Sequence, residues 1–303
     1  MASPDVTVCI PAYRAEAYLG VAVESVLAQT YQDWELAIVD NASPDRSGEI
    51  ARAFDDPRIS VYTNSQTLPM AENWNRAVSK AHGRYVKLLP ADDMIHPDCL
   101  ELQVKDLDSH PGAALISCRR DFIDADGRIV ATGRGLSGLV GEHAPTRVVR
   151  EVFRSGINPV GDTAAFLFRR DDFIAAGGFD SSFSYPLDLA LAIRLLERGY
   201  LYGQAQSLAA FRIRGDSHTA GDVRAQNVEH RRLLRRAAND DQWAISAYQL
   251  WQGLARTYPA GIKRALLYRA INSRFSAVRQ LPNRVLSVTA RRDDRATQGP
   301  ELI

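Results

Sequence analysis

The first 118 residues alternate short apolar runs with stretches of helical periodicity, and this alternation restricts the possible folds more than any other feature. Residues 6–10, 34–40, 58–63, 85–89 and 113–118 read as strands. Between them, apolar residues at 18, 19, 22, 23, 26 and 27 keep helical spacing, and 46–54, 70–81 and 97–110 read as further helices. Strands separated by helices form βαβ units, which require a mainly parallel sheet with helices packed on its faces. Ligands of such sheets bind beyond the carboxyl ends of the strands. Asp40 closes the second run there, and Asp92 and Asp93 follow the fourth.

The adjacent carboxylates in "YVKLLPADDMIHP" (85–97) raise a physical question. Two like charges at the end of a buried strand repel and lose hydration, so they need a cation, water or a hydrogen-bond donor as partner. A helix entry is the plain alternative, since Asp caps free N–H groups and His96-Pro97 could open the next helix.

Beyond residue 118 the pattern changes. "DFIDADGRIV" reads as a hairpin turning at Asp126-Gly127. Asp124 and Asp126 lack the closing glutamate of a calcium loop. Residues 133–145, rich in Gly, read as a mobile loop. A helix at 146–155, a strand at 163–168, a helix at 170–176, a helix at 187–198 capped by Gly199 and a strand at 207–214 follow. From 222 onward the chain reads as helical, and residues 293–303 as a frayed tail.

Four segments taken together, "CIPAYRAEAYLGVAVESVLAQTYQDWELAIVDNASPDRS", "YVKLLPADDMIHPDCL", "AAGGFDSSFSYPLDLALAIRLLERGY" and "AAFRIRGDS", resemble in order and spacing the family 2 glycosyltransferases, which are inverting enzymes of the GT-A fold. The resemblance covers residues 5–220. It implies an α/β fold with a GT-A domain over 1–220, divided into a nucleotide-sugar half (1–118) and an acceptor and base region (119–220). A basic helical extension (221–292) and the tail (293–303) would follow.

The resemblance also implies roles. Pro11, Ala12 and Tyr13 match the loop lining the base pocket, and Asp40 matches the aspartate that accepts a hydrogen bond from the base, usually uracil. Asp92 matches a residue reaching the ribose or a metal-bound water. Asp93 matches the ligand of a divalent metal, Mn2+ or Mg2+, and Asp188 the general base. A cation and a ribose hydroxyl would then be the partners of the like charges. Transfer from a nucleotide-diphosphate sugar builds charge on the leaving diphosphate, and inversion needs a base on the opposite face to deprotonate the acceptor hydroxyl. The acceptor class implied is a saccharide or a lipid-linked saccharide, in assembly of a surface polysaccharide or another glycoconjugate.

The chain departs from the family pattern at several positions. Pro90 stands where the first Asp of "LDADD" would be, Arg14 where Asn is common, Trp74 where an Arg often lies, and Leu187 where an acid usually precedes the base. Arg14, Arg76 or Lys87 could supply the missing cation near the diphosphate, and Arg214 and His218 lie where the family often has a His. Read as scars, Pro90, Trp74 and Leu187 fit a glycosyltransferase-like binding or scaffolding protein without turnover. A dinucleotide oxidoreductase is excluded by the absence of GxGxxG after the first strand.

Charge is unevenly distributed. Residues 243–292 contain nine Lys/Arg and no Asp or Glu, interleaved with Tyr248, Trp251, Tyr258, Tyr268 and Phe275. That composition suits a helix lying on an anionic membrane surface, or a helical appendage packed on the core or on a second subunit. No RNA-binding module accompanies the charge, so no nucleic-acid partner is expected. Cys9, Cys99 and Cys118 form no CxxC pair, and no signal-peptide pattern or membrane-length apolar run is present. These features predict a cytoplasmic protein, free or peripheral on the inner face of the membrane.

Overall fold

The computed structural model describes residues 3–214 and 222–276. β1 (Val6–Ala12) is buried along its whole length, as a strand covered on both faces must be. It lies between β2 (Trp34–Asp40) and β4 (Tyr85–Leu88), parallel to both, and β2 carries β3 (Ile59–Thr63) on its far side. The intervening helices are α1 (Leu19–Leu27), α2 (Ser47–Arg52) and α3 (Met70–Val78).

The sheet continues past β4. The short β5 (Met94–Ile95) and α4 (Cys99–Ser109) lead to β6 (Ala113–Ile123), β7 (Ile129–Arg134) and β8 (Gly141–His143). α5 (Pro145–Ser155), β9 (Phe166–Arg169), α6 (Arg170–Ala175), α7 (Leu187–Leu195) and β10 (Tyr200–Arg212) complete the core. Strand order is β3-β2-β1-β4-β9-β6-β10-β5, with β7 and β8 paired to β6 and β10. β9 runs antiparallel to β4 and β6, while β6 and β10 are parallel to each other. The carboxyl ends of β1, β2, β4, β6 and β10 therefore lie along one edge of the sheet.

Two helices follow the core, α8 (Val223–Ala238) and the long α9 (Ala247–Ser276). α9 meets α5 at Gly253, where an added Cβ would lie 3.1 Å from Phe153, and α8 at Gly261, where it would lie 2.8 Å from Asn227. Farther along, Tyr268 and Ile271 pack with Ile213, Phe122, Val130 and Phe211.

Several boundaries differ from the sequence reading. Residues 141–143 form a strand inside the expected loop, because their backbone pairs with β10. Residues 163–165 are a 3-10 turn rather than the start of a strand. α7 ends at Leu195, before Gly199, and α3 ends at Val78, before Gly83. Gly83 serves another purpose. A Cβ there would sit 2.7 Å from the Thr7 backbone nitrogen and 2.8 Å from the Val6 carbonyl carbon, so only glycine lets the chain run this close to β1. His218 and the stretch 277–303, including the predicted tail and four of the nine cations, lie outside the described residues.

Candidate active site

The end of β1 brings Pro11 and Ala12 into the core and leaves Tyr13 exposed at the rim. Ala12 pairs in register with Asp40, the last residue of β2. Asp40 is 5% exposed, and its Oδ1 accepts a hydrogen bond from the Ser43 N–H at 3.1 Å. Gly48 keeps the space beside the other oxygen open, since a Cβ there would lie 3.0 Å from Oδ2. Next to it is a buried amide relay that the sequence reading missed. Asn64 Nδ2 donates to Asn41 Oδ1 at 2.7 Å and to Asn73 Oδ1 at 3.0 Å, and Asn41 Nδ2 donates to the Leu68 carbonyl. Each Asn follows a strand or opens a helix, and nothing in that pattern marks them as one network.

Asp92 and Asp93 lie in the turn after β4. Asp93 is 2% exposed, and its Oδ1 accepts from the Arg212 backbone N–H at 2.9 Å. Burial, with the Asp92 and Asp162 carboxylates near it, holds its carboxyl well above the usual range. Asp92 Oδ2 accepts from Arg214 Nε at 3.0 Å. The buried Arg212 pins the turn from β10, since its Nε donates to the Asp92 carbonyl at 2.8 Å and its Nη1 to the Asp124 carbonyl at 2.9 Å. Both guanidinium groups lie over the Tyr18 ring, at 4.7 and 5.2 Å. Arg212 was not anticipated, although "FRIR" puts two arginines on one face of a strand.

Asp188 sits in the first turn of α7, half-buried. The Asn158 side-chain amide donates to its Oδ2 at 2.9 Å, and the Leu189 N–H donates to Oδ1 at 2.8 Å. Burial pushes its carboxyl up to about 6, against these hydrogen bonds and with the Asp162 carboxylate adding to the rise. The Asp162 carboxylate thus raises the proton affinity of both Asp93 and Asp188. It pairs with Arg120 at 2.5 Å. Neither residue was singled out from sequence, because β6 and the 156–162 loop converge only in the fold. Asn158 also accepts from the Val160 and Gly161 N–H groups, so the residue that holds Asp188 also shapes that loop.

Three predicted cations divide. Lys87 is fully buried and donates to Gln103 at 2.8 Å and to the Phe166 carbonyl at 3.1 Å, which makes it a core residue. Arg14 is exposed over the Tyr13 ring and Arg76 is exposed on α3. Trp74 packs edge-on against Phe179 at 5.1 Å, so its position serves the core.

Among the described residues no group of three or more His, Cys, Asp or Glu is arranged to hold a metal ion. The donor set at Asp92 and Asp93 nevertheless fits a hard divalent cation. Mg2+ and similar ions are commonly held by one or two carboxylates, with waters and substrate phosphates completing the shell. A carboxylate as deeply buried as Asp93, its proton affinity raised further by the Asp92 and Asp162 carboxylates, is stabilised by such a charge. Mn2+ or Mg2+ suits these oxygen ligands better than a thiophilic metal.

Residues 7–176 match the model for Glycosyl transferase family 2. Among curated proteins, the Escherichia coli UDP-Glc:alpha-D-GlcNAc-diphosphoundecaprenol beta-1,3-glucosyltransferase WfgD is 35% identical over 99 residues, 33% of this chain and 39% of that protein. Two solved structures share the fold. S. aureus TarS 1-349 in complex with UDP-GlcNAc has a TM-score of 0.63 at 14% identity, covering 92% of this chain and 76% of that one. The mannosyltransferase PcManGT from Pyrobaculum calidifontis, in complex with GDP-Man and Mn2+, has a TM-score of 0.63 at 18% identity, covering 93% and 78%. In five curated relatives the matched segment makes up 14% to 63% of the relative's length. The architecture is that of the GT-A glycosyltransferases, and with more than half of its length matched by the family model, the chain belongs to glycosyl transferase family 2.

Proposed function

We propose that this chain transfers a glycosyl group from a nucleotide-diphosphate donor to a hydroxyl of a saccharide or lipid-linked acceptor, with inversion at the anomeric carbon. The observation that supports this reading is the family match over residues 7–176, together with Asp93 buried after β4 and Asp188 held by Asn158 in the first turn of α7. Pro11, Ala12, Tyr13 and Asp40 receive the base, and Asp92 the ribose. Asp93 would hold the divalent metal, which when bound would supply positive charge against the diphosphate. Asp188, whose carboxyl is pushed up to about 6, takes the proton from the acceptor hydroxyl, and Asn158 keeps its Oδ2 oriented.

The same reading assigns residues 1–220 to the GT-A domain, with donor binding in 1–118 and the acceptor region in 119–220, and leaves 221–292 as a helical extension. Use of a lipid-linked acceptor, as the name of WfgD describes for that protein, would put the work at the cytoplasmic face of a membrane. UDP is the first nucleotide to test. GDP is the second, because PcManGT was solved with GDP-Man.

The experiment is a transfer assay with a panel of UDP- and GDP-sugars and saccharide acceptors, comparing the natural chain with Asp188→Asn and Asp93→Ala. Transfer by the natural chain and loss in both variants supports the assignment. Donor binding with no transfer or hydrolysis under any condition would overturn it in favour of a binding protein without turnover.

A further inference from the structure

The inner face of α9 is occupied by α5, α8 and the β10 end, yet its outer face is also apolar. Tyr248, Trp251, Ala255, Tyr258, Ile262 and Leu266 follow one another at three- and four-residue intervals, so they share one side of the helix. All are exposed, Trp251 at 65% and Leu266 at 59%. The Tyr248 and Trp251 rings stack at 6.3 Å along the stripe. An aromatic stripe this long, turned to solvent, marks a contact surface.

The neighbouring helix suggests its partner. On α8, Arg224, Val228, Arg231 and Arg235 stand at i, i+4, i+7 and i+11 and so form a second row. Val228 is exposed, and the Arg231 guanidinium lies 5.6 Å over the Tyr258 ring, which joins this row to the stripe. No ion pair within the described residues engages Arg224, Arg231 or Arg235. On α9 itself, Lys263 is exposed beside Ile262. The nine cations and absence of acids across 243–292 extend the same sign. A second copy of this face would set its arginine row and Lys263 against the same cations, with carboxylates at the ends of α8, at Asp222, Asp240 and Asp241. An anionic lipid surface accepts both parts, with apolar and aromatic side chains in the headgroup boundary and arginines on lipid phosphates. No described helix is long and apolar enough to cross a membrane, so the geometry is that of a helix lying in the surface.

We propose that the outer stripe of α9, together with the arginine row of α8, docks this protein on an anionic lipid bilayer. The inner face of α9 links this surface to the site. Arg264 Nη1 donates to the Tyr185 hydroxyl at 2.6 Å, three residues before Asp188, and Tyr268 and Ile271 pack on Ile213, between Arg212 and Arg214. One helix therefore touches the bilayer on one side and the segments carrying the site on the other. The surface adds α8 to the 243–292 segment named from composition. It neither requires the transfer reading nor is required by it, since vesicle binding and nucleotide binding are measured separately.

The test is co-sedimentation of the full chain with vesicles of phosphatidylcholine alone and of phosphatidylcholine with phosphatidylglycerol. Expected is binding to the mixed vesicles that falls with added salt, and little binding to the neutral ones. Trp251→Ser with Ile262→Ser should lower partitioning at least about tenfold, and Arg224→Ser or Arg235→Ser about fivefold each. A second readout uses the natural chain. Trp34 and Trp243 are buried and Trp74 is half-buried, so a blue shift of tryptophan emission on mixed vesicles should come from Trp251 and vanish in Trp251→Phe. No binding to mixed vesicles, or binding that these substitutions leave unchanged, would overturn the proposal. So would a dimer in analytical ultracentrifugation that the stripe substitutions make monomeric, which would assign the face to a second copy.

Discussion

Removing the amide that holds Asp188 should change the pH dependence of transfer while sparing the rate at high pH. In Asn158→Ala, Asp188 Oδ2 loses its 2.9 Å hydrogen bond. A bond to an ionised carboxylate stabilises the charged form by about 1.5–3 kcal/mol when nothing replaces it, and water entering this half-buried position reduces that to ~1 kcal/mol. The acid limb of kcat/KM, expected near 6 from the raised Asp188, should therefore move up by ~0.7 pH unit. At a pH equal to the original midpoint the variant should be roughly threefold slower, and well above it the two enzymes should converge.

Asn158→Asp sharpens the test, because it keeps the acceptor for the Val160 and Gly161 N–H groups and sets a second carboxylate against Asp188, so its limb should move farther in the same direction. Asp162→Asn removes a carboxylate that raises Asp188 and should move the limb down. The assay is kcat/KM across pH at subsaturating acceptor. A defect of equal size at every pH, or limbs that shift together in all three variants, would refute the role of Asp188 as the titrating base.

The raised carboxyl also affects stability. Because the folded value, about 6, lies above the ordinary 3.8, the contribution of Asp188 is fully present below the unfolded value and is lost as pH rises through the folded one. Asp188→Asn should therefore abolish transfer yet stabilise the fold on the alkaline side by on the order of 1–2 kcal/mol, after allowance for its partial exposure. Urea unfolding of both chains at acid and alkaline pH measures this, and a destabilised variant at alkaline pH would contradict it. Gly83→Ala should cost about 1–3 kcal/mol, because the new Cβ would collide with β1 backbone that cannot give way. An unchanged urea midpoint would show that the 82–84 turn has more room than its geometry indicates.

How far the sequence could be read depended on whether a feature is local. The run "WELAIVD" states its own strand, and β2 spans those residues, because a doubly buried strand needs continuous apolar side chains. β9, by contrast, inserts against the direction of its neighbours, and β8 forms from a Gly-rich segment because β10 offers it an edge. Local periodicity shows β9 as a strand but not its direction, and it does not show β8. The same holds at the site. Asp40, Asp92, Asp93 and Asp188 are the residues to which motif order points. It does not point to Arg212, Asn158, Asp162 or Arg120, since each acts on a residue about 30 to 120 positions away. Lys87 shows the converse, a cation near the motif in sequence whose alternation places it on the core side of β4.

The central claim is a donor site completed by a metal at Asp93. Its most direct test is calorimetric titration of UDP and GDP into the full chain, with and without Mn2+, repeated on Asp93→Ala. One nucleotide is expected to bind, to require Mn2+ for binding, and to lose it in the variant. Nucleotide binding of equal strength without metal, or retained in Asp93→Ala, would contradict the claim.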